Sequence, residues 1–281
     1  MQTKSCQDVQ NVPELKNGTH RNGSSINRIN TKVVDNIVVG VKMQTKIFVS
    51  VRDRFESTIR CIDSLGSTTL ELADIFIFDN NSCKDLSTLM SYYNKISSAP
   101  NVGGIYLNRQ AALKDVYWSK AFSWIQFLNI ISLYPENERR YIVMVDNDVM
   151  FTQNWLQASI ALLESPIANN LNIKVVCPWN GNPKYPTLET IKFDKYLIDI
   201  RNHVGSPCWV STYEYWRSLK TPPYGMKDAF PDDVWHWDQI VKRGDKFGVF
   251  TNGFVKDITA SMGGSKYSAR LKYVGLDYPP R

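Results

Sequence analysis

The sequence predicts an α/β fold, a Rossmann-like and mostly parallel central sheet flanked by helices, with a smaller second half. Three observations carry this. Short apolar runs bounded by polar turns occur at Lys46–Val51, Ile75–Phe78 and Tyr141–Val145. Runs of that length, rich in Val and Ile, belong to strands buried on both faces. Segments of helical spacing lie between them, so strand and helix alternate, the rhythm of a parallel sheet with right-handed crossovers. Finally, two runs stop abruptly at carboxylates, Asp79 in one case and Asp146 and Asp148 in the other. Open α/β sheets bind ligands just beyond the carboxyl ends of their strands.

In chain order, residues 1–44 are rich in Asn, Ser, Gly and Lys without periodicity, and read as a flexible arm; Ile37–Val41 could add an edge strand. Lys46–Val51 is the first strand. Arg54–Leu65 follows as a helix, with Phe55, Ile59, Ile62 and Leu65 on one face. Ile75–Phe78 is a strand, Asp85–Ile96 a helix, Ile105–Leu107 a short strand, and Ala111–Leu133 a long helix stopped by Pro135. Tyr141–Asp148 is the strand carrying the paired carboxylates, and a helix runs from Asn154 to Leu163. The second half reads as a strand at Ile173–Cys177, a loop through Pro186, and an extended stretch or hairpin over Thr190–Ile200. A strand at Gly205–Ser211, a helix at Thr212–Leu219, a loop at Pro222–Pro231, a short helix ending near Gly244 and a strand at Gly248–Val255 follow. The tail from 261 is polar and basic. With no repeat and no separating linker, 45–260 reads as one domain of two halves, 45–150 and 151–260.

Composition narrows the function. The chain has 281 residues, 43% hydrophobic and 21% charged, with net charge +6. That charge suits an anionic ligand and permits peripheral contact with a membrane. No basic cluster interleaves with aromatics, so nucleic acid is not an expected partner. The 5 cysteines are scattered and odd in number. They form neither a metal spacing nor a disulfide framework, which points to a reducing, cytoplasmic compartment. The sequence shows no charged-then-apolar signal pattern and no apolar run long enough to cross a bilayer, so neither a leader nor a membrane span is expected.

The chemistry concentrates at Asp146-Asn147-Asp148. Two carboxylates that close repel unless a cation lies between them, and a hard divalent ion can bridge them to a diphosphate. The alternative is a polar turn whose Asp caps the next helix. Asp79 could accept from a nucleotide's ring N–H and ribose hydroxyls, or could simply close an Asx turn.

The ordered set Lys46–Val51, Asp53-Arg54, Cys61–Leu65, Ile75–Ser82, Tyr141–Asp148 and Asn154-Trp155-Leu156 resembles the GT-A glycosyltransferases, closest to family 2. The resemblance covers roughly 46–257. It implies a metal-dependent, inverting transfer of a sugar from a nucleotide-diphosphate donor, UDP favoured, to a saccharide or glycoconjugate acceptor. It implies that Ser50, Arg52, Asp53, Asp79, Asn80, Lys120, Asp146 and Asn147 line the nucleotide cleft. Asp146 and Asp148 would hold Mn2+ or Mg2+, with Asp257 where many relatives carry a metal-binding His. On the acceptor side, Pro231–Gly244 aligns so that Asp233 is the general base; a shifted register would choose Asp238. Trp179, Trp209, Trp235 and Trp237 lie in segments expected to face the acceptor cleft, with Trp179 and Trp209 expected to touch sugar. His236 is expected to be a cleft or packing residue rather than a ligand.

Two other readings stay open. A sugar-nucleotide nucleotidyltransferase has a related sheet but needs a Gly-rich loop after its first strand, and Val51–Phe55 has no glycine. A non-catalytic nucleotide- or carbohydrate-binding module on a degenerate scaffold is compatible with Asp257. A dinucleotide oxidoreductase is not indicated, because no Gly-x-Gly-x-x-Gly follows any strand.

Overall fold

The computed structural model describes residues 44–51, 54–69, 72–80, 82, 86–97, 101–108, 116–179, 185–205, 207–220 and 232–258. All of them fall in the compact unit Val41–Arg281. The expected arm apart from its last residue, the run Ile37–Val41, the loop Pro222–Pro231 and the tail from 261 lie outside the described residues.

Strand β1 (Thr45–Val51) leads into helix α1 (Phe55–Thr69), and β2 (Ala73–Asp79) into α2 (Leu86–Ser97). β3 (Val102–Leu107) precedes α3 (Val116–Ile131). After a 3-10 turn at Glu136–Glu138 come β4 (Tyr141–Asp146), β5 (Val149–Phe151), α4 (Trp155–Glu164) and α5 (Pro166–Asn170). The second half holds β6 (Ile173–Cys177), the hairpin β7 (Glu189–Phe193) and β8 (Tyr196–Arg201), β9 (Cys208–Thr212), α6 (Tyr213–Ser218), α7 (Asp232–Lys242), β10 (Lys246–Phe250) and β11 (Val255–Asp257).

Nine strands form one sheet in the order β3-β2-β1-β4-β9-β6-β10-β8-β7. β1 to β4 are mutually parallel, as are β6 and β10, whereas β9 and β8 run against their neighbours. β7 reverses again against β8, so seven of the nine strands point the same way, the mostly parallel sheet that the strand–helix rhythm predicts. β5 and β11 form a separate antiparallel pair.

Both faces of the sheet are covered, which explains why its strands carry apolar runs rather than alternation. Ile47, Val49, Ile75, Ile77, Val143 and Val145 pack with side chains of α1, α2 and α4. Phe48, Phe76, Phe78, Ile142 and Met144 meet Trp124 and Phe127 of α3, Trp216 of α6 and Ile240 of α7 on the other side. Each such buried apolar side chain stabilises the fold by about 1.5–3 kcal/mol relative to exposure. Lys46, almost fully buried, is the exception in β1; it pairs with Asp74, and its ammonium sits 4.4 Å from the Tyr134 ring centroid.

Several boundaries differ from the sequence expectation. The strand of the paired carboxylates stops at Asp146; Asn147 and Asp148 form a turn, and the chain resumes as β5, which the sequence reading did not foresee. The expected strand Gly248–Val255 is two strands, divided by a turn that Gly253 makes at φ 56, where its N–H donates to the Phe250 carbonyl at 3.1 Å. The expected strand from Gly205 begins only at Cys208, because Pro207 has no N–H for a ladder. The long helix expected from Ala111 is described from Val116, and residues 111–115 lie outside the described residues. Among the described residues, no helix is long and apolar enough to cross a membrane.

Candidate functional site

The register pairs Val51 with Asp79 and Ser50 with Asp146, so the ends of β1, β2 and β4 align along one edge. A buried polar layer lies beneath it. The Asn80 side-chain amide donates to Ser50 Oγ at 2.9 Å, Ser123 Oγ donates to Asn80 Oδ1, and Asn108 Nδ2 donates to Ser123 Oγ at 3.4 Å. Asp79 is fully buried: one carboxylate oxygen accepts from the Ser82 N–H at 2.8 Å and the other from the Tyr93 hydroxyl. Both carboxylate oxygens of Asp79 are thus engaged inside the protein. Its carboxylate builds the turn after β2 and ties it to α2. Ser50 and Asn80 are likewise buried supports of the edge. Arg52 and Asp53 lie outside the described residues.

Asp146 and Asp148 stand at the rim, each beside a cation. Lys120 Nζ on α3 donates to Asp146 Oδ1 at 2.8 Å. Arg54, at the entrance to α1, donates from its guanidinium to Asp148 Oδ2. Between them Asn147 turns inward, and its Nδ2 donates to Thr58 Oγ1 at 2.7 Å. β11 completes the cluster: it pairs with β5 so that Asp257 faces Val149, and the Ile258 N–H donates to the Asp148 carbonyl at 2.8 Å. Burial, then the nearby Asp146 charge and, more weakly, the Asp257 charge push the Asp148 carboxyl up to about 6, against the opposing pull of Arg54. Asp148 thus feels the charge of both other carboxylates that the resemblance assigns to a metal.

Arg54 is the residue that the sequence reading missed. It sits in the left-handed region at φ 56, costly for a residue with a Cβ. Its carbonyl accepts from both the N–H and the hydroxyl of Thr58, at 2.9 and 3.0 Å, and so starts α1. Nothing in Arg52-Asp53-Arg54 marks which charge turns to a carboxylate 94 residues later.

Among the described residues, no three Asp, Glu, His or Cys side chains are gathered closely enough to hold a metal ion by themselves. The donor set still fits a hard divalent cation. Mg2+ typically takes one or two carboxylates and completes its shell with substrate phosphates rather than with an all-protein cage. A carboxyl raised by its carboxylate neighbours is one that such a charge would relieve. Asp146 and Asp148 would be the ligands, with Asp257 beside them.

On the other half of the edge, Trp209 stands in β9. Its ring is fully buried, stacked on Trp216 at 6.2 Å and packed against Phe247 at 5.3 Å, and its Nε1 donates to the Gly205 carbonyl at 2.8 Å. It is core. Trp179 is half-buried and packs so tightly on Gly205 that a Cβ there would stand 2.9 Å from the ring. Trp237 is also half-buried and meets His203 edge-on at 4.0 Å, while Tyr185 lies nearly parallel to His203 at 6.5 Å. Burial lowers the His203 pKa, favouring its neutral form. Trp235 donates from Nε1 to the Lys220 carbonyl at 2.9 Å. His236 packs among Trp124 and Trp216. Asp233 belongs to the first turn of α7 by its backbone, and its side chain lies outside the described residues. Asp238 pairs with Lys242 at 2.7 Å, on the side of α7 opposite the buried His236 and Ile240.

No protein-family model matches the chain, and no curated protein is similar to it in sequence. Solved structures are similar in fold. GalNAc-T7, crystallised with UDP, GalNAc and Mn2+, superposes on 77% of this chain and 44% of its own, with TM-score 0.54 and 13% identity. The mannosyltransferase PcManGT from Pyrobaculum calidifontis, in complex with GDP-Man and Mn2+, superposes on 74% of this chain and 56% of its own, with TM-score 0.51 and 12% identity. The chain thus spans about half the length of these two proteins. At such identity the likeness concerns fold, and the fold is GT-A, as the ordered motifs implied.

Proposed function

We propose that the chain is a glycosyltransferase that moves a sugar from a nucleotide-diphosphate donor, UDP-sugar favoured, to a saccharide or glycoconjugate acceptor with inversion. One observation carries this reading. A GT-A sheet ends β4 in a carboxylate pair at its ligand-binding edge, with Lys120 and Arg54 on the two carboxylates and Asp257 approaching from β11. Lys120 and Arg54 supply positive charge for a diphosphate, and the guanidinium is suited to binding phosphate bidentately. Asp146 and Asp148 would hold Mn2+ or Mg2+, which when bound neutralises the charge developing on the leaving diphosphate.

In the transfer, the acceptor hydroxyl oxygen attacks the anomeric carbon and its proton passes to a carboxylate base, for which Asp233 is the candidate. The bond from that carbon to the β-phosphate oxygen breaks on the opposite face, and the nucleoside diphosphate leaves with the electron pair. Such a base must reach the hydroxyl while the leaving group departs behind. The half-exposed ring of Trp237, with His203 and then Tyr185 beside it, and that of Trp179 offer apolar faces for a sugar. A cytoplasmic setting, with any membrane contact peripheral, belongs to the same proposal.

A second reading, nucleotide binding without turnover, is favoured by one feature: both rim carboxylates are already ion-paired within the protein. A thermal-shift screen of nucleoside diphosphates with and without Mn2+, followed by donor hydrolysis with the parent and Asp148→Ala, separates the two. A ligand that binds the native state raises its melting temperature by mass action. Metal-dependent stabilisation and turnover lost in Asp148→Ala support the transferase. Stabilisation without turnover supports the binding module, and full activity in Asp148→Ala removes the proposed site.

A further inference from the structure

We propose that Arg54 is the resident counter-ion of Asp148: it holds that carboxylate in the metal-free protein and yields it to a divalent cation chiefly when a nucleoside diphosphate is there to receive the guanidinium. The inference rests on the site proposed above and adds to it a coupling between metal and nucleotide.

Three observations carry it. Arg54 donates directly to Oδ2 of Asp148, a carboxylate that would hold the metal. The pairing is built in rather than incidental. The Arg54 carbonyl is gripped by the N–H and hydroxyl of Thr58, and that same hydroxyl accepts from Asn147, the neighbour of Asp148. The turn after β4 and the start of α1 are therefore clasped at two points, one through Asn147 and Thr58 and the other through Arg54 and Asp148. The backbone of Arg54 stands at φ 56, a conformation that glycine adopts more readily. The position thus carries a long cationic side chain where backbone geometry alone would favour none.

The pair is only partly buried, with side-chain exposures of 25% for Arg54 and 16% for Asp148. A cation arriving alone must compete with Arg54 for Asp148 and leave the guanidinium without an anion. A cation arriving with a diphosphate supplies that anion, to which a planar guanidinium binds well. Lys120 holds Asp146 in place meanwhile, so the two cations divide the rim.

The test measures Mn2+ binding, by electron paramagnetic resonance of the free ion, with and without UDP and, in parallel, GDP. The parent, Arg54→Gly and Arg54→Lys are compared. The parent is expected to bind Mn2+ weakly alone and at least about tenfold more tightly with nucleotide, the worth of one charge-assisted hydrogen bond. Arg54→Gly is expected to bind Mn2+ alone about tenfold more tightly than the parent, and to lose most of the nucleotide enhancement. Arg54→Lys, which keeps the charge, is expected to stay near the parent; a merely structural role would move both variants together. Should Arg54→Gly fail to fold, Arg54→Gln replaces it in the same comparison. If Arg54→Gly, or Arg54→Gln in its place, leaves Mn2+ affinity unchanged or weaker while the parent binds Mn2+ with nucleotide, the inference is overturned and the site stands. If the parent binds no Mn2+ with either nucleotide, the proposed metal site falls and the inference with it.

Discussion

Removing the charge of Asp148 is expected to stabilise the metal-free protein while destroying its response to ligand. The fold holds the Asp148 carboxyl at about 6, against an ordinary value of 3.8, through burial first and then through Asp146 and Asp257. A carboxyl raised in the fold favours folding in its protonated form. Its contribution is fully present below the ordinary value and is lost as pH rises through about 6. A shift of two pH units corresponds to about 3 kcal/mol, a ceiling at pH 8. Asp148→Asn escapes that penalty; the net shift already counts the pull of Arg54, and partial exposure of the pair discounts the ceiling by about 1 kcal/mol. The variant should therefore exceed the parent by about 2 kcal/mol at pH 8 with a chelator present, or about 4–8 °C in Tm for a chain of this size. The gap should close by pH 4. Urea and thermal unfolding at pH 4, 6 and 8 measure it. Mn2+ with UDP should then raise the parent's Tm and leave that of the variant unchanged. A variant less stable than the parent at pH 8, or a gap independent of pH, would refute the electrostatic account of the rim.

Three further outcomes are expected. Lys120→Met should cost no more than about 1 kcal/mol in stability, because its pair with Asp146 is partly exposed; calorimetry with UDP and Mn2+ should nonetheless show affinity lowered by roughly tenfold, the value of a charge-assisted contact. Trp209→Ala should lose about 3–5 kcal/mol in denaturant melts, as a fully buried ring does, whereas Trp237→Ala should lose far less and appear in the KM for acceptor. Burial alone would raise the Asp199 carboxyl, but hydrogen bonds from Thr190, Arg201 and Thr187 outweigh it and hold the carboxyl low. That stability is present above the ordinary carboxylate range and is lost as pH falls below it, so parent and Asp199→Asn should differ in melting at pH 7 and converge at pH 3.

The parts of the fold legible in the sequence are those whose physics is local. β1, β2 and β4 are buried on both faces, so each appears as an unbroken apolar run, and the polar residues that stop them mark the edge directly. The direction of β9 was not legible. Cys208 to Thr212 carry no alternation, because Cys208 and Val210 enter one core while Trp209 enters the other. For the same reason the sequence did not distinguish Trp209, which is core, from Trp237, which is half-exposed. Asp79 was legible as a strand end but not as a turn builder, since its second partner, Tyr93, comes from the following helix.

The rim of the site shows the same division with a functional consequence. Asp146 and Asp148 stand out because two carboxylates ending an apolar strand are an electrostatic cost that needs a cause. The answering charges come from elsewhere: Lys120 from α3, Arg54 from the start of α1, and Asp257 from a strand that reaches β5 only through tertiary pairing. Lys120 and Asp257 entered the reading only through resemblance, and Arg54 only as part of a motif and a helix start, with no role at the site. A set with two cations and three carboxylates is nearly balanced within itself, and that balance is why the ligand-free protein tolerates the pair. It is also why a metal and a diphosphate suit the site better together than separately: the metal meets the carboxylates, the diphosphate meets Arg54 and Lys120, and neither ion pair is broken without a replacement.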